Sequence, residues 1–179
     1  WGDKKEEFIR PIRWLLAIVG RDEVLDFNSF GVKSGNFTYG HRNFKEAIEI
    51  DFVGSYFCRL DKHGVILYQD ERRKQILENI KKIETENGLK VEIDNDLLEE
   101  IVTITEYPTP LLGSFDEKFL ELPDEVIITS MKEHQRYFPV YKDGKLSNHF
   151  VVVSNAKTDD YSEVINGNER VLRARLSDA

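Results

Sequence analysis

The chain has 179 residues, with 25 Lys and Arg against 33 Asp and Glu, a formal net charge of −8, and 40% hydrophobic and 32% charged residues. That balance suits a soluble globular domain, or one with a small appendage. It argues against a disordered chain and against nonspecific adhesion to nucleic acid or acidic membrane, whose phosphates the average field repels, although a local basic patch stays compatible with it. No apolar run approaches the ~20 residues that cross a bilayer, and no signal-peptide pattern is present. The single Cys58 allows no internal disulfide and fits a reducing compartment, with cytoplasm the default. The chain opens on Trp1 and stops inside the charged run "GNERVLRARLSDA", so both ends are expected to be cuts within a longer polypeptide.

In chain order, "FIRPIRWLLAIVGRDEVLDF" predicts two short strands around a Gly20-Arg21-Asp22 turn, with Pro11 barring a helix. "IRWLLAIV" lacks alternation, which predicts a central strand buried on both faces. "GVKSGNFTYGHR" is too polar to pack and too ordered in flavour for a linker, and places His41 and Arg42 on an exposed loop. "IEIDF" alternates, sending Ile48, Ile50 and Phe52 to one face and Glu49 and Asp51 to the other.

"GVILYQDERRKQILENIKKIETENG" predicts a strand and then a helix. Asp70 is its N-cap, Ile76, Ile80 and Ile83 form its apolar stripe, Glu78 and Lys82 pair outside, and Gly88 closes it. "VEIDNDLLEEIVTITEYP" predicts a helix capped by Asp94 or Asn95, with Leu97, Ile101 and Ile104 buried and Pro108 ending it. Pro123 or Asp124 opens another helix in "LPDEVIITSMKEHQ". "RYFPVYKDGKLSNHFVVVSN" is a hairpin turning at Asp143-Gly144, and the C-terminal run returns to helix from near Asn168. The sum is α+β, with a mixed or mainly antiparallel sheet and several flanking helices. Residues 1–166 are expected to be one domain and 167–179 the start of a helix leading to the next.

A search for chemistry finds little. His41, His63, His134 and His149 have no i,i+4 or cysteine partner at metal-ligand spacing, no Walker or GxGxxG loop occurs, and in "YFCRLDKHG" a Cys58 nucleophile is unsupported despite His63 nearby in sequence, since cysteine is usually a small core residue. The expectation is no catalytic constellation, no metal site and no cofactor on this chain. On a helix over 124–134, Ile127, Met131 and His134 share one face, which predicts a semi-buried histidine, while Lys132 and Gln135 point elsewhere. In the following strand Arg136, Phe138 and Val140 share a face opposite Tyr137 and Tyr141. Such an aromatic–basic mixture can grip a nucleic-acid backbone or simply pack a hairpin. On the last helix Leu172 and Leu176 form a seam with Arg170 and Arg173 along its edge, set to fork onto phosphates, onto a neighbouring domain's carboxylates, or into solvent.

Taken together, "FIRPIRWLLAIVG", "GVKSGNFTYGHRNF", "VILYQDERRKQI", "LLEEIVTITEYPTPLLGSFDEKFLELPDEVIITSMKEHQRYFPVY", "FVVVSN" and "INGNERVLRARLSDA" occur in this order. The series resembles the beta subunits of bacterial glycyl-tRNA synthetases over essentially the whole chain. The resemblance implies an alpha2beta2 ligase in which the alpha subunit activates glycine with ATP and Mg, while the beta subunit supplies most of the surface for tRNA(Gly). It also implies a module similar to the B3/B4 type of phenylalanyl-tRNA synthetase beta subunits, which edits mischarged tRNA. No editing residue matches a position here, and glycine's small size makes a tight pocket sufficient for selection.

Three hypotheses follow. The first is a non-catalytic module that helps position tRNA, through His41, Arg42, Lys132, Gln135, Arg136, Tyr137, Arg170 and Arg173. The second is an architectural module whose same edges dock other beta-subunit domains or the alpha subunit. The third, resting only on the shared module, is an editing deacylase.

Overall fold

The computed structural model describes residues 10–179; the predicted strand's first residues, Phe8 and Ile9, lie outside them. The chain groups into two compact units, Trp1–Leu67 and Tyr68–Ala179, where the sequence suggests one domain over 1–166. Sheets in both are antiparallel apart from one parallel pairing among the described residues, Leu15–Leu16 with Ser34–Gly35, in keeping with the predicted α+β class.

The first unit is built from very short strands: β1 (Leu15–Leu16), β2 (Ile18–Val19), β3 (Glu23–Val24), β4 (Asn28–Ser29), β5 (Val32–Gly35), β6 (Phe37–Tyr39) and β7 (Ala47–Glu49), followed by helix α1 (Tyr56–Lys62). "IRWLLAIV" is not the central strand its continuous apolar run predicts. It breaks at Ala17 into β1, at the edge of a three-stranded sheet, and β2, half of a two-stranded ribbon, where Val19 stays 46% exposed. The Gly20–Asp22 turn does form, with Gly20 at φ 62°. The polar stretch after Phe30, expected to be too polar to pack, forms β5 and β6: Ser34 and Thr38 are buried, and Ser34 Oγ serves the Leu25 and Phe27 backbone. Ile48 and Ile50 are buried with Leu60, but Phe52 is exposed because β7 has ended and a 3₁₀ turn begins at Val53.

The second unit contains α2 (Gln69–Asn87), β8 (Lys90–Val91), α3 (Asn95–Ile104), β9 (Pro108–Ser114), α4 (Asp124–Thr129), β10 (Phe138–Lys142), β11 (Lys145–Asn155) and α5 (Ser162–Ser177). Its four strands pair antiparallel in the order β8-β10-β11-β9. On one face Val151, Phe138 and Val140 pack against Ile76 and Ile80 of α2 and Leu98, Ile101 and Val102 of α3. On the other, Phe150, Val152 and Tyr137 pack against Ile127, Met131 and the α5 seam of Leu172 and Leu176. The "FVVV" run of β11 is therefore the strand covered on both faces.

Helix α2 begins one residue before Asp70, with Tyr68 at the N-cap position making no side-chain capping bond and Asp70 in the first turn; Gly88 ends it in the left-handed region at φ 63°. Glu78 pairs with Lys74 at 3.9 Å rather than with Lys82. Val65–Leu67 forms no strand, since the Val65 N–H closes α1 on the Leu60 carbonyl at 3.0 Å. Asp94 caps α3, accepting from the Asp96 and Leu97 N–H groups at 3.0 and 3.1 Å. Its buried stripe is Leu97, Leu98, Ile101 and Val102, and Ile104, its last residue, is 58% exposed.

Pro108 begins β9 instead of merely ending α3, and Pro110 follows within it. Among the described residues β9 pairs only with β11, so it is an edge strand, where a residue lacking an N–H on the open side leaves no ladder bond broken. The hairpin forms as expected, with Asp143 at φ 50° and Gly144 at φ 79°, both left-handed as a two-residue primed turn requires.

Candidate functional site

The segment after α4, Ser130–Gln135, winds as a π-helix and stops at Arg136, which adopts the left-handed conformation (φ 57°, ψ 42°). This wider winding overturns the predicted placement of His134. Spacings of three and four no longer return to the Ile127–Met131 face, and His134 is exposed while Met131 is fully buried. Arg136 is likewise not on the face of Phe138 and Val140, because it precedes β10 as the helix terminus.

Lys132 and Arg136 reach from this turn to α3. Lys132 Nζ lies 2.5 Å from Asp94 Oδ2 and 3.7 Å from Glu92, and Arg136 Nε donates to Glu100 Oε1 at 2.5 Å. The Lys132 ammonium, together with the Leu97 N–H, holds the Asp94 carboxyl below its ordinary value; Asp94 in turn raises Lys132. Between these elements lies a cleft of about 290 Å³, whose lining sets Asp94, Asp96, Glu100 and Glu133 against Lys132 and Arg136. Its balance is anionic, and both cations are already engaged. Gln135 is half-buried beside it.

Tyr137 faces inward and is 2% exposed. Its ring stacks on Phe150 with centroids 4.7 Å apart at 17°, and burial raises its phenol to about 12. Its hydroxyl donates to Asn168 Oδ1 of α5 at 2.7 Å. The "MKEHQRYFPV" and "GNERVLRARLSDA" blocks thus meet through Tyr137 and Asn168. Glu169 adds a second anchor, accepting from the Ser114 N–H at 2.8 Å. With Leu172 and Leu176 buried, the same helix turns Arg170 and Arg173 outward. Arg170 makes no ion pair among the described residues, and Arg173 lies within electrostatic reach of Asp116.

His41 and Arg42 belong to the first unit. Arg42 is exposed as expected, but His41 is 0% exposed, which corrects its predicted place on an open loop. Its backbone N–H bonds the His63 carbonyl at 2.9 Å, and its Nδ1 accepts from the Asn43 N–H at 3.3 Å. Gly40 permits this approach: a Cβ there would stand 2.5 Å from the His63 carbonyl oxygen.

Two of the eight residues, His41 and Tyr137, are buried and are not surface groups. Lys132, Gln135 and Arg136 are grouped, Tyr137 ties their turn to α5, and Arg170 and Arg173 share the outer face of that helix. Among the described residues no group of three or more His, Cys, Asp and Glu side chains is placed to hold a metal ion, and no helix is long and apolar enough to cross a membrane. Absent from the sequence-derived set are Asn168 and Glu169, which position α5, and the outward rings of "FTY" in β6, whose exposed–buried–exposed pattern period-two alternation could have signalled.

The family model described as glycyl-tRNA synthetase beta subunit matches residues 1–179. A glycine–tRNA ligase beta subunit of Halothermothrix orenii is 50% identical over 181 residues, covering 100% of this chain and 26% of that protein. Those of Clostridioides difficile and Oceanobacillus iheyensis are 46% and 45% identical, again with 100% of this chain and 26% of each relative covered. The chain thus spans about a quarter of the length of these relatives and corresponds to a module of that subunit. From end to end it belongs to the glycyl-tRNA synthetase beta subunit family.

Proposed function

We propose that this module helps position tRNA for glycylation in a ligase of alpha and beta subunits, while bond-making takes place on the alpha chain. The relatives' names, glycine–tRNA ligase beta subunit, support the reaction and the nucleic-acid substrate. The observation that carries the reading is the outer face of α5. Its apolar seam and the Tyr137–Asn168 and Glu169–Ser114 bonds fix the helix, so Arg170 and Arg173 project from a rigid support. Guanidinium groups held this way fork onto phosphate oxygens, giving orientation rather than sequence readout. In this proposal ATP and Mg belong to the alpha subunit, the assembly is alpha2beta2, the tRNA is tRNA(Gly), and the setting is the cytoplasm.

Changing Arg170 and Arg173 to Glu in the intact ligase should weaken tRNA binding and flatten its salt dependence, by about 0.7–0.9 in slope for each phosphate no longer neutralised. An unchanged slope removes α5 from the RNA surface. For Lys132 and Arg136 a different observation favours an architectural role: their charges are spent on Asp94, Glu92 and Glu100, joining the π turn to α3. Charge reversal there should lower stability or disturb subunit assembly, while leaving the tRNA affinity of assembled enzyme intact.

A further inference from the structure

We propose that Trp14, Phe37 and Tyr39 form a platform on which unpaired bases of single-stranded RNA stack. This rests on the RNA-positioning role above, but places the RNA against the other unit and on different chemistry. In β6 the strand alternation buries Thr38 and turns Phe37 and Tyr39 outward, 43% and 36% exposed. The three rings touch in sequence: Trp14 and Tyr39 have centroids 4.8 Å apart at 59°, and Phe37 and Tyr39 6.5 Å apart at 87°. The Trp14 indole N–H is committed to Thr38 Oγ1 at 3.1 Å, which fixes the ring against the strand. Rings so held have already lost the rotamer freedom that binding would otherwise cost.

Charge separates RNA from an ordinary apolar docking partner. Residues 1–67 carry ten Lys and Arg against ten Asp and Glu, whereas residues 68–179 carry fifteen against twenty-three. The whole net charge of −8 therefore lies in the second unit, and the unit holding the rings does not repel phosphate on average. Arg10 and Arg13, the latter next to Trp14 in sequence, are exposed and make no ion pair among the described residues. In the second unit, by contrast, Lys132 and Arg136 are internally neutralised. The carboxylate nearest the rings, Glu49 across the strand from Phe37, accepts from Asn36 Nδ2 at 3.0 Å, and aromatic faces in a unit of zero net charge, with exposed Arg13 next to Trp14 in sequence, match a ligand made of flat bases on an anionic backbone.

The test uses the full ligase with its beta subunit altered at these positions, probed with a short fluorescent oligoadenylate and with an RNA duplex. Phe37→Ile and Tyr39→Ile keep apolar bulk and strand propensity but delete the π face. Each should weaken oligoadenylate binding about tenfold and leave duplex binding unchanged, while Tyr39→Phe binds as wild type. Isoleucine variants that bind both probes normally, or lose both equally, overturn the proposal. So does loss of subunit assembly with RNA affinity intact, which would make the patch a protein interface. If the variants do not fold, photocrosslinking of bromouridine-containing RNA to the unaltered ligase decides: adducts on Trp14, Phe37 or Tyr39 support the platform, and adducts only elsewhere end it. The arginine reversals on α5 are scored separately, so failure of the platform leaves the positioning role standing or falling on its own salt slope.

Discussion

Replacing Gly113 by alanine directs a methyl group into the ring of Phe150. The two residues face each other across the β9–β11 ladder, and a Cβ at Gly113 would lie 2.5 Å from Phe150 Cζ and 2.9 Å from each Cε. Ordinary van der Waals separation needs about an ångström more, so the ring must move. It has little room to do so. Phe150 is fully buried, Tyr137 stacks on it at 4.7 Å, and Tyr137 is itself held by Asn168. The expected cost is toward the upper end of the usual 1–3 kcal/mol for overpacking, about 3 kcal/mol, read as a lower urea midpoint at unchanged slope. Phe150→Leu makes space for the methyl, so the double variant should be more stable than the sum of the two single changes predicts, by about 1–3 kcal/mol. Additive effects, or a Gly113→Ala variant as stable as wild type, would refute the claim that close approach of backbone and ring is what requires glycine here.

Three further outcomes are expected. Asp94→Ala removes both the α3 cap and the partner of Lys132 and should cost about 1–2 kcal/mol, whereas Asp94→Asn keeps a capping oxygen and should recover part of that loss; urea unfolding at neutral pH separates them. His149 Nδ1 is buried with no hydrogen-bond partner, and burial, with Lys142 adding to it, pushes the imidazole below its ordinary value. The folded state then binds fewer protons than the unfolded one, so stability should fall as pH drops below about 6.5, by up to ~1.4 kcal/mol per pH unit, and His149→Gln should flatten that slope in pH-dependent unfolding. Tyr137 behaves oppositely: with its phenol raised to about 12, its contribution is complete below about pH 10 and is lost as pH rises toward the folded value. Tyr137→Phe should remove this alkaline loss and cost about 1 kcal/mol at neutral pH through the missing bond to Asn168, measured by unfolding on both sides of pH 10.

The candidate site was legible to very different degrees. The outward arginines of α5 followed from the Leu172–Leu176 seam alone, because on a regular helix burying one face decides where the other points. His134 was misplaced for the complementary reason: its position depended on regular winding, and the chain widens into a π turn that packing against α5 and β10 accompanies. His41 was misplaced because a loop's exposure depends on what it meets, in this case the end of α1. The basic character of Lys132 and Arg136 was plain, but their neutralisation required Asp94 and Glu100, which lie more than thirty residues earlier in the chain.

Features resting on a few neighbouring residues were set by the sequence itself: the run of α2 to Gly88, the Asp94 cap, the Asp143–Gly144 turn, and the alternation that sends Phe138 and Tyr137 to opposite faces. Short-range dihedral preferences and side-chain hydrogen bonds suffice for these. Only the tertiary structure decided which apolar run would be central. "IRWLLAIV" and "FVVV" look alike in one dimension, yet the first became edge and ribbon, and the second took a strand on each side and helices on both faces. It also decided that Pro108 and Pro110 could stand in a strand, since an unpaired edge asks nothing of their missing N–H. Burial on a second face and pairing on a second edge are supplied by segments distant in the chain, and no local pattern encodes their arrival.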